Sequence, residues 1–363
     1  MKIVTALLKY DYGIESRGPS GELLIILPEI IKCVPDTVPF WLEEHGYPDR
    51  MDSLQEELLE FCKEQRPDYV FFMLMKDEIR VSTLDRLRSF TKPINFFCDD
   101  QWRFDDFSSQ IAPSLSVIIT VDKFSVPKYR ALGCAKVIHT QWAASLCLPI
   151  ENKPYEFEIS FVGGRNAVRD WYISELRNKG IHVECFGSGW ENGRVSFDRM
   201  NEIFARSKIS LNLSNSVPHD FAYFKTLLER RHGDMMDTKR RLFQFYRIKG
   251  YRTAIRRYLK DKKESNQLPI PKGKTVEQIK ARNFEIPAAG GFQISQFALE
   301  IDDYFANGKE IVLFSNVDEL AILINYYLEN DSERERIKIA GHDVAMKNLY
   351  SDRFSAIFKE LSC

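Results

Sequence analysis

The sequence lacks the features that mark membrane-spanning, disulfide-stabilised and metal-binding proteins. Its 363 residues contain no apolar run of the roughly 18 residues that a bilayer span requires. The seven cysteines are scattered and form no CxxC pair, which favours a reduced, cytoplasmic chain. The six histidines are isolated and form no HxxxH pair, so we expect no built-in metal site.

The chain also lacks an excess of charge of either sign. Its 51 lysines and arginines are balanced by 52 acidic residues, which leaves a formal net charge of -1. A nucleic-acid partner is therefore not expected. The first residues, MKIVTALLKYDYG, carry an apolar stretch too short for a signal peptide, and we interpret them as a first strand.

What the sequence does contain is a regular alternation of short apolar runs with helical or loop segments. The predicted strands of the first half are Lys2–Leu8, Val34–Trp41, Tyr69–Met75, Ile94–Cys98, Val117–Val121 and Lys136–His139. Those of the second half are Glu158–Val162, Val183–Phe186, Ile209–Leu213, Phe292–Ile294 and Ile311–Phe314. Such alternation predicts an α/β protein with doubly wound parallel sheets.

The length favours two domains of roughly 150 residues each rather than one core. A polar, proline-bearing stretch at Ile150–Tyr155 separates them. We predict Rossmann-like domains over 1–150 and 151–345, and a final segment, 346–363, that packs back on the first domain as a helix.

Residues 219–270 interrupt the pattern of the second domain. Within 219–264 there are 14 basic and 6 acidic residues, and apolar side chains are interleaved with the cations. This composition is typical of an interfacial amphipathic helix that meets lipid phosphates. An insertion that packs its apolar face on its own domain has the same pattern.

Ligands of doubly wound folds bind where strands end and helices begin, so these junctions supply the candidate site residues. After the strand at Glu158–Val162, a Gly-Gly-Arg junction lets the backbone and a helix N-terminus approach a diphosphate. Two further glycine- or serine-rich junctions, CFGSGW and NLSNS, are candidates to line a nucleotide pocket; all three are also compatible with ordinary turns. The residues singled out are Gly163, Gly164, Arg165, Arg169, Gly187, Asn212 and Ser214.

The most specific motif is RNFEIPAAGGF at residues 282–292. Its carboxylate, Glu285, has the reach to accept two hydrogen bonds from a ribose diol. Gly290 and Gly291 allow a helix to sit tightly over a strand, and we include them among the donor-binding candidates.

This motif resembles the spore maturation protein B-like glycosyltransferases, a branch of the group 1 glycosyltransferases. The resemblance extends to four further segments, Tyr304–Ala306, Glu310–Phe314, Asp318–Leu320 and Tyr350–Arg353. It covers most of the second domain apart from the basic insertion.

The resemblance implies the GT-B fold, in which two Rossmann-like domains face a central cleft and the last helix crosses back to the first domain. It also implies a nucleotide-sugar donor held mainly by the second domain, without a metal or another cofactor. Glu285 would then bind the ribose, Arg165 and Arg282 the diphosphate, and Glu277 the donor sugar.

In the first domain, Asp99 and Asp100 directly follow a predicted buried strand. A carboxylate at such a strand end is a candidate general base for an acceptor hydroxyl, although only one of two adjacent residues can face a ligand. A turn or helix-cap role fits these residues equally well. Gly18, Ser20 and Gly21 form a loop that could approach the acceptor or the donor phosphates.

The function expected from these features is that of a metal-independent, hexosyltransferase-type glycosyltransferase. It would move a sugar from a nucleotide diphosphate to a hydroxyl of a glycan or a lipid-linked acceptor. A nucleotide-sugar epimerase on the same fold, or a non-catalytic nucleotide- or glycan-binding protein, remains an alternative. We expect a cytoplasmic protein, with an anionic membrane surface as a possible partner of residues 219–264.

Overall fold

A computed structural model describes residues 1–145, 154–214 and 277–362. The basic segment at 219–270, and with it the predicted membrane contact, lies outside these residues. The chain divides into two structural units. The first comprises Met1–Ser145 together with Asn348–Cys363, and the second comprises Leu146–Lys347.

The first unit contains a six-stranded sheet in the order β2-β1-β3-β4-β5-β6, and every strand pair is parallel. Its strands are β1 Ile3–Leu7, β2 Thr37–Trp41, β3 Tyr69–Phe72, β4 Lys92–Phe97, β5 Val117–Thr120 and β6 Val137–His139. Its first helices are α1 Leu27–Cys33, α2 Met51–Gln65, α3 Val81–Arg88, α4 Asp100–Arg103, α5 Ser109–Ile111 and α6 Val126–Ala131. Strand β2, which contains an internal proline, lies at the edge, where a missing N–H removes no ladder hydrogen bond.

The second unit contains a five-stranded parallel sheet in the order β11-β10-β9-β7-β8. Its strands are β7 Phe157–Val162, β8 Glu184–Phe186, β9 Ser207–Asn212, β10 Gln293–Gln296 and β11 Val312–Phe314. Its helices are α7 Ala167–Asn178, α8 Phe197–Ala205, α9 Arg282–Ala288, α10 Val317–Glu329 and α11 Asp331–Ala345. The two sheets confirm the predicted α/β class, because both are parallel and carry helical crossovers.

The last helix, α12 (Tyr350–Ser362), belongs to the first unit although it lies at the end of the sequence. Its fully buried Phe354 packs near Phe71 of β3 and Phe96 of β4, with ring centroids 6.1 and 6.4 Å apart. Helix α12 thus completes the apolar layer on one face of the six-stranded sheet.

One strand end differs from the sequence-based prediction for an identifiable reason. The apolar run at residues 69–75 leaves the sheet after Phe72, since the Leu74 N–H donates to the side chain of Asn95 at 2.8 Å.

Candidate functional site

The loops that follow β7 and β8 lie side by side at the carboxyl edge of the second sheet. The Gly163 N–H donates to the Phe186 carbonyl, and the Arg165 N–H donates to the Ser188 carbonyl, both at 2.8 Å. The indole of Trp190 donates back to the Gly163 carbonyl at 2.9 Å. Two of the predicted nucleotide-binding junctions therefore form one continuous surface.

Gly187 permits this close approach of the two loops. Its φ is +122°, and a Cβ atom there would lie 2.4 Å from the carbonyl oxygen of Gly163. No other residue type fits this position without moving the backbone. Gly164, by contrast, is exposed, and a Cβ atom built there would meet nothing within 4 Å. The open space of this edge is therefore at Gly164, beside the N-terminus of α7.

Arg165 and Arg169 are both engaged with the protein. Arg165 forms an ion pair with Asp170 (2.7 Å) and lies over the Trp190 ring, 5.1 Å from its centroid. Arg169 donates to the Gly164 carbonyl at 2.7 Å and to the Leu213 carbonyl at 2.8 Å. These contacts hold the loops after β7, β8 and β9 in place. The Arg165 side chain is 49% exposed and remains within reach of a ligand from solvent.

Arg282 and Glu285 form a partly enclosed ion pair on α9. The Glu285 side chain is 5% exposed and the Arg282 side chain 31%, and the Arg282 Nη1 donates to the Glu285 carboxylate. The Arg282 Nε points to the Val162 carbonyl at the end of β7, at 3.4 Å, and its guanidinium lies 5.5 Å from the ring centroid of Phe204. The structure thus anchors this pair beside the loop that begins at Gly163.

The carboxyl ends of β9 and β10 add a buried polar cluster that the sequence analysis identified only in part. The side-chain amides of Asn212 and Asn283 both donate to the Ser295 hydroxyl, at 3.1 and 3.0 Å. The Ser214 hydroxyl is also buried and makes no hydrogen bond within the described part of the chain. Asn212 is therefore satisfied inside the protein, whereas Ser214 offers an unused polar atom at the same edge.

Two further predictions for the donor site concern Glu277 and the glycine pair Gly290 and Gly291, which lie in different surroundings. Glu277 lies on an irregular segment before α9 and is half-buried. Gly290 and Gly291 precede β10, and in a parallel sheet that is the edge opposite to Gly163. A Cβ atom at Gly291 would lie 2.9 Å from the carbonyl oxygen of Phe204 in α8. Gly291 therefore allows the close packing of α9, α8 and β10, whereas Gly290 has open space around it and a φ of +77°. A donor-binding role of this pair stays a prediction.

In the first unit, the structure separates Asp99 from Asp100. Asp100 is 1% exposed, and its carboxylate accepts hydrogen bonds from the Thr120 hydroxyl (2.5 Å) and the Tyr129 hydroxyl (2.8 Å). Burial raises the pKa of Asp100, and hydrogen bonds, including one from Ser108, oppose that shift. The Asp100 side chain is thus engaged inside the first unit, and a direct role on an acceptor would require these contacts to change. Asp99 is half-buried at the end of β4.

The predicted loop at Gly18, Ser20 and Gly21 follows β1 at the carboxyl edge of the first sheet. The Ser20 hydroxyl is buried; it donates to the Leu8 carbonyl at 2.6 Å and accepts the Leu23 N–H at 3.0 Å. It is therefore occupied in shaping the loop. The two glycines have open space around them.

The next residue of this loop, Glu22, was not among the predicted site residues. Its carboxylate accepts the Leu8 N–H at 2.6 Å, and burial raises the pKa of Glu22 to about 8. The signal was present in the sequence, because Glu22 ends the glycine-rich stretch GIESRGPSGE directly after the first strand.

Part of the chain, mostly in the second unit, matches a known family. Residues 165–246 and 268–359 fit the family model described as glycosyl transferase-like. The matched residues include Arg165, Arg169, Arg282 and Glu285 of the candidate site. No curated protein sequence matches the chain.

Solved structures with the same fold align over nearly the whole chain. Anabaena Alr3699/HepE, solved in complex with UDP, has a TM-score of 0.57 at 11% identity, covering 99% of both chains. The sucrose-phosphate synthase of Thermosynechococcus elongatus has a TM-score of 0.63 at 8% identity, covering 100% of this chain and 98% of the other. A glycosyltransferase from Rickettsia africae has a TM-score of 0.53 at 10% identity, covering 99% and 97%.

The structural matches confirm the GT-B fold predicted from the sequence. The family match agrees with the predicted glycosyltransferase class. The narrower resemblance to the spore maturation protein B-like branch stays a prediction. Among the described helices, none is long and apolar enough to cross a membrane. Within the same residues, no group of histidine, cysteine and acidic side chains is arranged to hold a metal ion.

Proposed function

We propose that the protein transfers a sugar from a nucleoside-diphosphate sugar to a hydroxyl, with the donor bound at the carboxyl edge of the second sheet. The observation that carries this proposal is the Arg282–Glu285 pair beside the Gly163–Arg165 loop. A carboxylate held in place by an arginine is suited to accept both hydroxyls of a ribose.

The diphosphate would lie over Gly164, where the backbone is open and the N-terminus of α7 is close. The Asn166 side chain already accepts the N–H groups of Val168 and Arg169. The N-terminus of α7 would therefore attract the diphosphate through the helix dipole rather than through hydrogen bonds from these two N–H groups. Arg282 would supply the cation. Backbone, helix dipole and arginine together neutralise a diphosphate without a metal ion.

UDP is the first nucleotide to test, because Anabaena Alr3699/HepE has been solved with UDP and with UDP-glucose. The acceptor in this proposal is a hydroxyl of a glycan or of a lipid-linked sugar. Residues 219–264 would hold the protein near an anionic membrane. Binding to vesicles of anionic lipid, compared between the full chain and a variant without 219–264, tests this second part.

The donor site is tested by titration calorimetry with UDP, GDP, CDP, ADP and dTDP in the presence of EDTA. One nucleotide should bind, and Glu285→Gln should raise its Kd at least tenfold, because a charged hydrogen bond is worth about 1.5–3 kcal/mol. The matched control is Glu202→Gln, which disrupts the Arg199–Glu202 pair of the same spacing on α8 and should leave the Kd unchanged.

Equal effects of the two substitutions, or binding only after addition of Mg²⁺, would contradict the proposed site. Failure of all five nucleotides to bind would contradict the proposed function itself.

A further inference from the structure

The amino edge of the first sheet carries an open cavity that is lined by none of the predicted site residues. Its volume is about 1050 Å³, close to the upper end of the roughly 300–1,000 Å³ that small-molecule sites occupy. The cavity lies between the α2–β3 connection, the α3–β4 connection and the end of α12, all in the first unit. Because the strands are parallel, this edge is opposite to the loops that follow β1 and β4. A ligand bound here would occupy a separate site.

Hydrogen bonds fix the walls of this cavity. The Thr91 hydroxyl donates to the Pro67 carbonyl at 2.8 Å and joins the two connections. The Tyr69 hydroxyl donates to the Leu361 carbonyl at 2.9 Å and holds the end of α12 against β3. All four residues are buried. The fold therefore forms the cavity in advance, which lowers the ordering cost of binding a ligand.

The cavity has an excess of positive charge. Four exposed cationic side chains line it: Lys63, Arg66, Arg88 and Lys92. None of these four side chains forms an ion pair with a carboxylate within the described part of the chain. Asp68 is the single acidic side chain among the lining residues, and it already accepts the Lys2 N–H at 2.7 Å. The cations therefore face the cavity without an acidic partner.

The same two helices pair their other arginines with acids. Arg80, at the start of α3, forms an ion pair with Asp52 of α2 at 2.6 Å, and Arg86 forms one with Glu56 of α2. Arg88 lies only two residues beyond Arg86 and has no such partner among the described residues. The unpaired cations are thus concentrated at the cavity, where their mutual repulsion favours an anionic ligand.

Helix dipoles account for part of this charge only. The C-terminal ends of α2, α3 and α12 lie at the cavity, and each is equivalent to roughly −0.5 elementary charge. Together with Asp68 they offset little more than half of the four positive charges. The remainder is available to a ligand.

Arg66 occupies a backbone position that favours glycine. It follows the last residue of α2 with φ +50° and ψ +52°, in the left-handed region. Glycine is the usual residue at such a helix end, because a Cβ atom is unfavourable there. An arginine at this position lowers stability and places a guanidinium at the cavity. Residues held in such conformations cluster where a ligand is bound.

We propose that this cavity binds a phosphate-bearing ligand, with Arg66 and Arg88 as its main contacts. Guanidinium groups bind phosphate through two parallel hydrogen bonds, and lysines such as Lys63 and Lys92 add charge. One Arg88 nitrogen donates to the Pro113 carbonyl at 2.8 Å, which orients the guanidinium. A phosphate group, with a charge near −2 at neutral pH, matches the excess charge better than a single carboxylate. This inference does not depend on the proposed function.

Titration calorimetry with inorganic tripolyphosphate tests the site. We expect one molecule to bind per chain, and Arg66→Gly and Arg88→Gln should each raise its Kd about tenfold, because each removes charge-assisted hydrogen bonds. Arg86→Gln is the matched control, since Arg86 lies on the same helix outside the cavity and should leave the Kd unchanged. Arg282→Gln and saturating UDP, which affect the proposed donor site, should also leave it unchanged.

Arg66→Gly supplies a second readout that needs no ligand. The variant should unfold at a higher urea concentration than the wild type, because glycine adopts the left-handed conformation more easily, although it binds tripolyphosphate less tightly. A residue with a merely structural role would behave in the opposite way. A lower urea midpoint with an unchanged Kd would therefore overturn the proposal.

A soluble phosphorylated compound and a lipid headgroup carry the same chemistry, and vesicles distinguish them. Vesicle binding that requires phosphatidic acid and is lost in the double variant Arg66→Gly/Arg88→Gln would identify a lipid headgroup. Binding of tripolyphosphate without such vesicle binding would identify a soluble ligand. The proposal would be overturned if neither probe bound, if UDP displaced tripolyphosphate, or if the double variant bound both probes as the wild type does.

Discussion

Two glycines of the second unit have different roles because the space around them differs. Gly187 is held at φ +122° against the Gly163 carbonyl, whereas Gly164, the neighbour of Gly163 in the chain, borders open space. The first glycine is required by the fold. The second leaves room in which a ligand can approach the backbone.

We therefore expect Gly187→Ala to lower the unfolding free energy by about 1–3 kcal/mol, because the added Cβ meets a carbonyl oxygen at 2.4 Å in a strained backbone region. Gly164→Ala should change stability by less than about 0.5 kcal/mol and should still weaken UDP binding. Urea denaturation and calorimetry measure the two effects. Equal destabilisation by both substitutions would contradict this account of the loop.

At the residue scale, the sequence identifies positions better than it identifies the direction of a side chain. Asp99 and Asp100 are equivalent candidates in the sequence, and only the contacts of Asp100 with Thr120 and Tyr129 reveal which one points inward. The pKa of Glu22 likewise could not be predicted from the sequence, because the charges of Glu43 and Glu78, which are distant in sequence, contribute to its rise.

At the scale of elements, the apolar runs predicted the sheets well. The strands at 117–120 and 157–162 lie within one or two residues of their predicted ends, since continuous apolar runs belong to strands buried on both faces. The end of β3 differs from the prediction because the Asn95 side chain accepts a hydrogen bond from a backbone N–H just after the strand. Such hydrogen bonds depend on tertiary contacts, which the hydrophobic periodicity of the sequence does not reveal.

Helix α12 contributes several buried side chains to the core of the first unit. Phe354→Ala should lower the unfolding free energy by about 3–5 kcal/mol, because it opens a cavity between α12 and the rings of β3 and β4. Phe90→Ala is the matched control: Phe90 is 41% exposed, and its removal should cost less than about 0.5 kcal/mol. Chemical denaturation compares them, and similar costs would show that α12 is not part of the core.

At the scale of the whole molecule, the two units have separate apolar cores. The core of the second unit is built around its own sheet and includes Trp171, Phe292 and Ile324. The cores of the first unit cover both faces of the other sheet. Separate cores predict two unfolding transitions rather than one.

Differential scanning calorimetry with and without UDP tests this division. UDP at 100 times its Kd should stabilise the transition of the second unit by about 2.7 kcal/mol, since it binds only the folded form. Phe354→Ala should shift the other transition alone. If both transitions moved together in either experiment, the units would unfold as one.

The position of α12 in the sequence has a consequence for biosynthesis. When residue 145 leaves the ribosome, the sheet of the first unit is complete, yet the helix that covers Phe71 and Phe96 is still about 200 residues away. At roughly 5–20 residues per second, the nascent chain keeps that apolar face uncovered for about 10–40 s while the second unit is translated. During this interval the first unit exposes an apolar face of the kind that chaperones bind, and α12 can cover that face only after Phe354 has been translated.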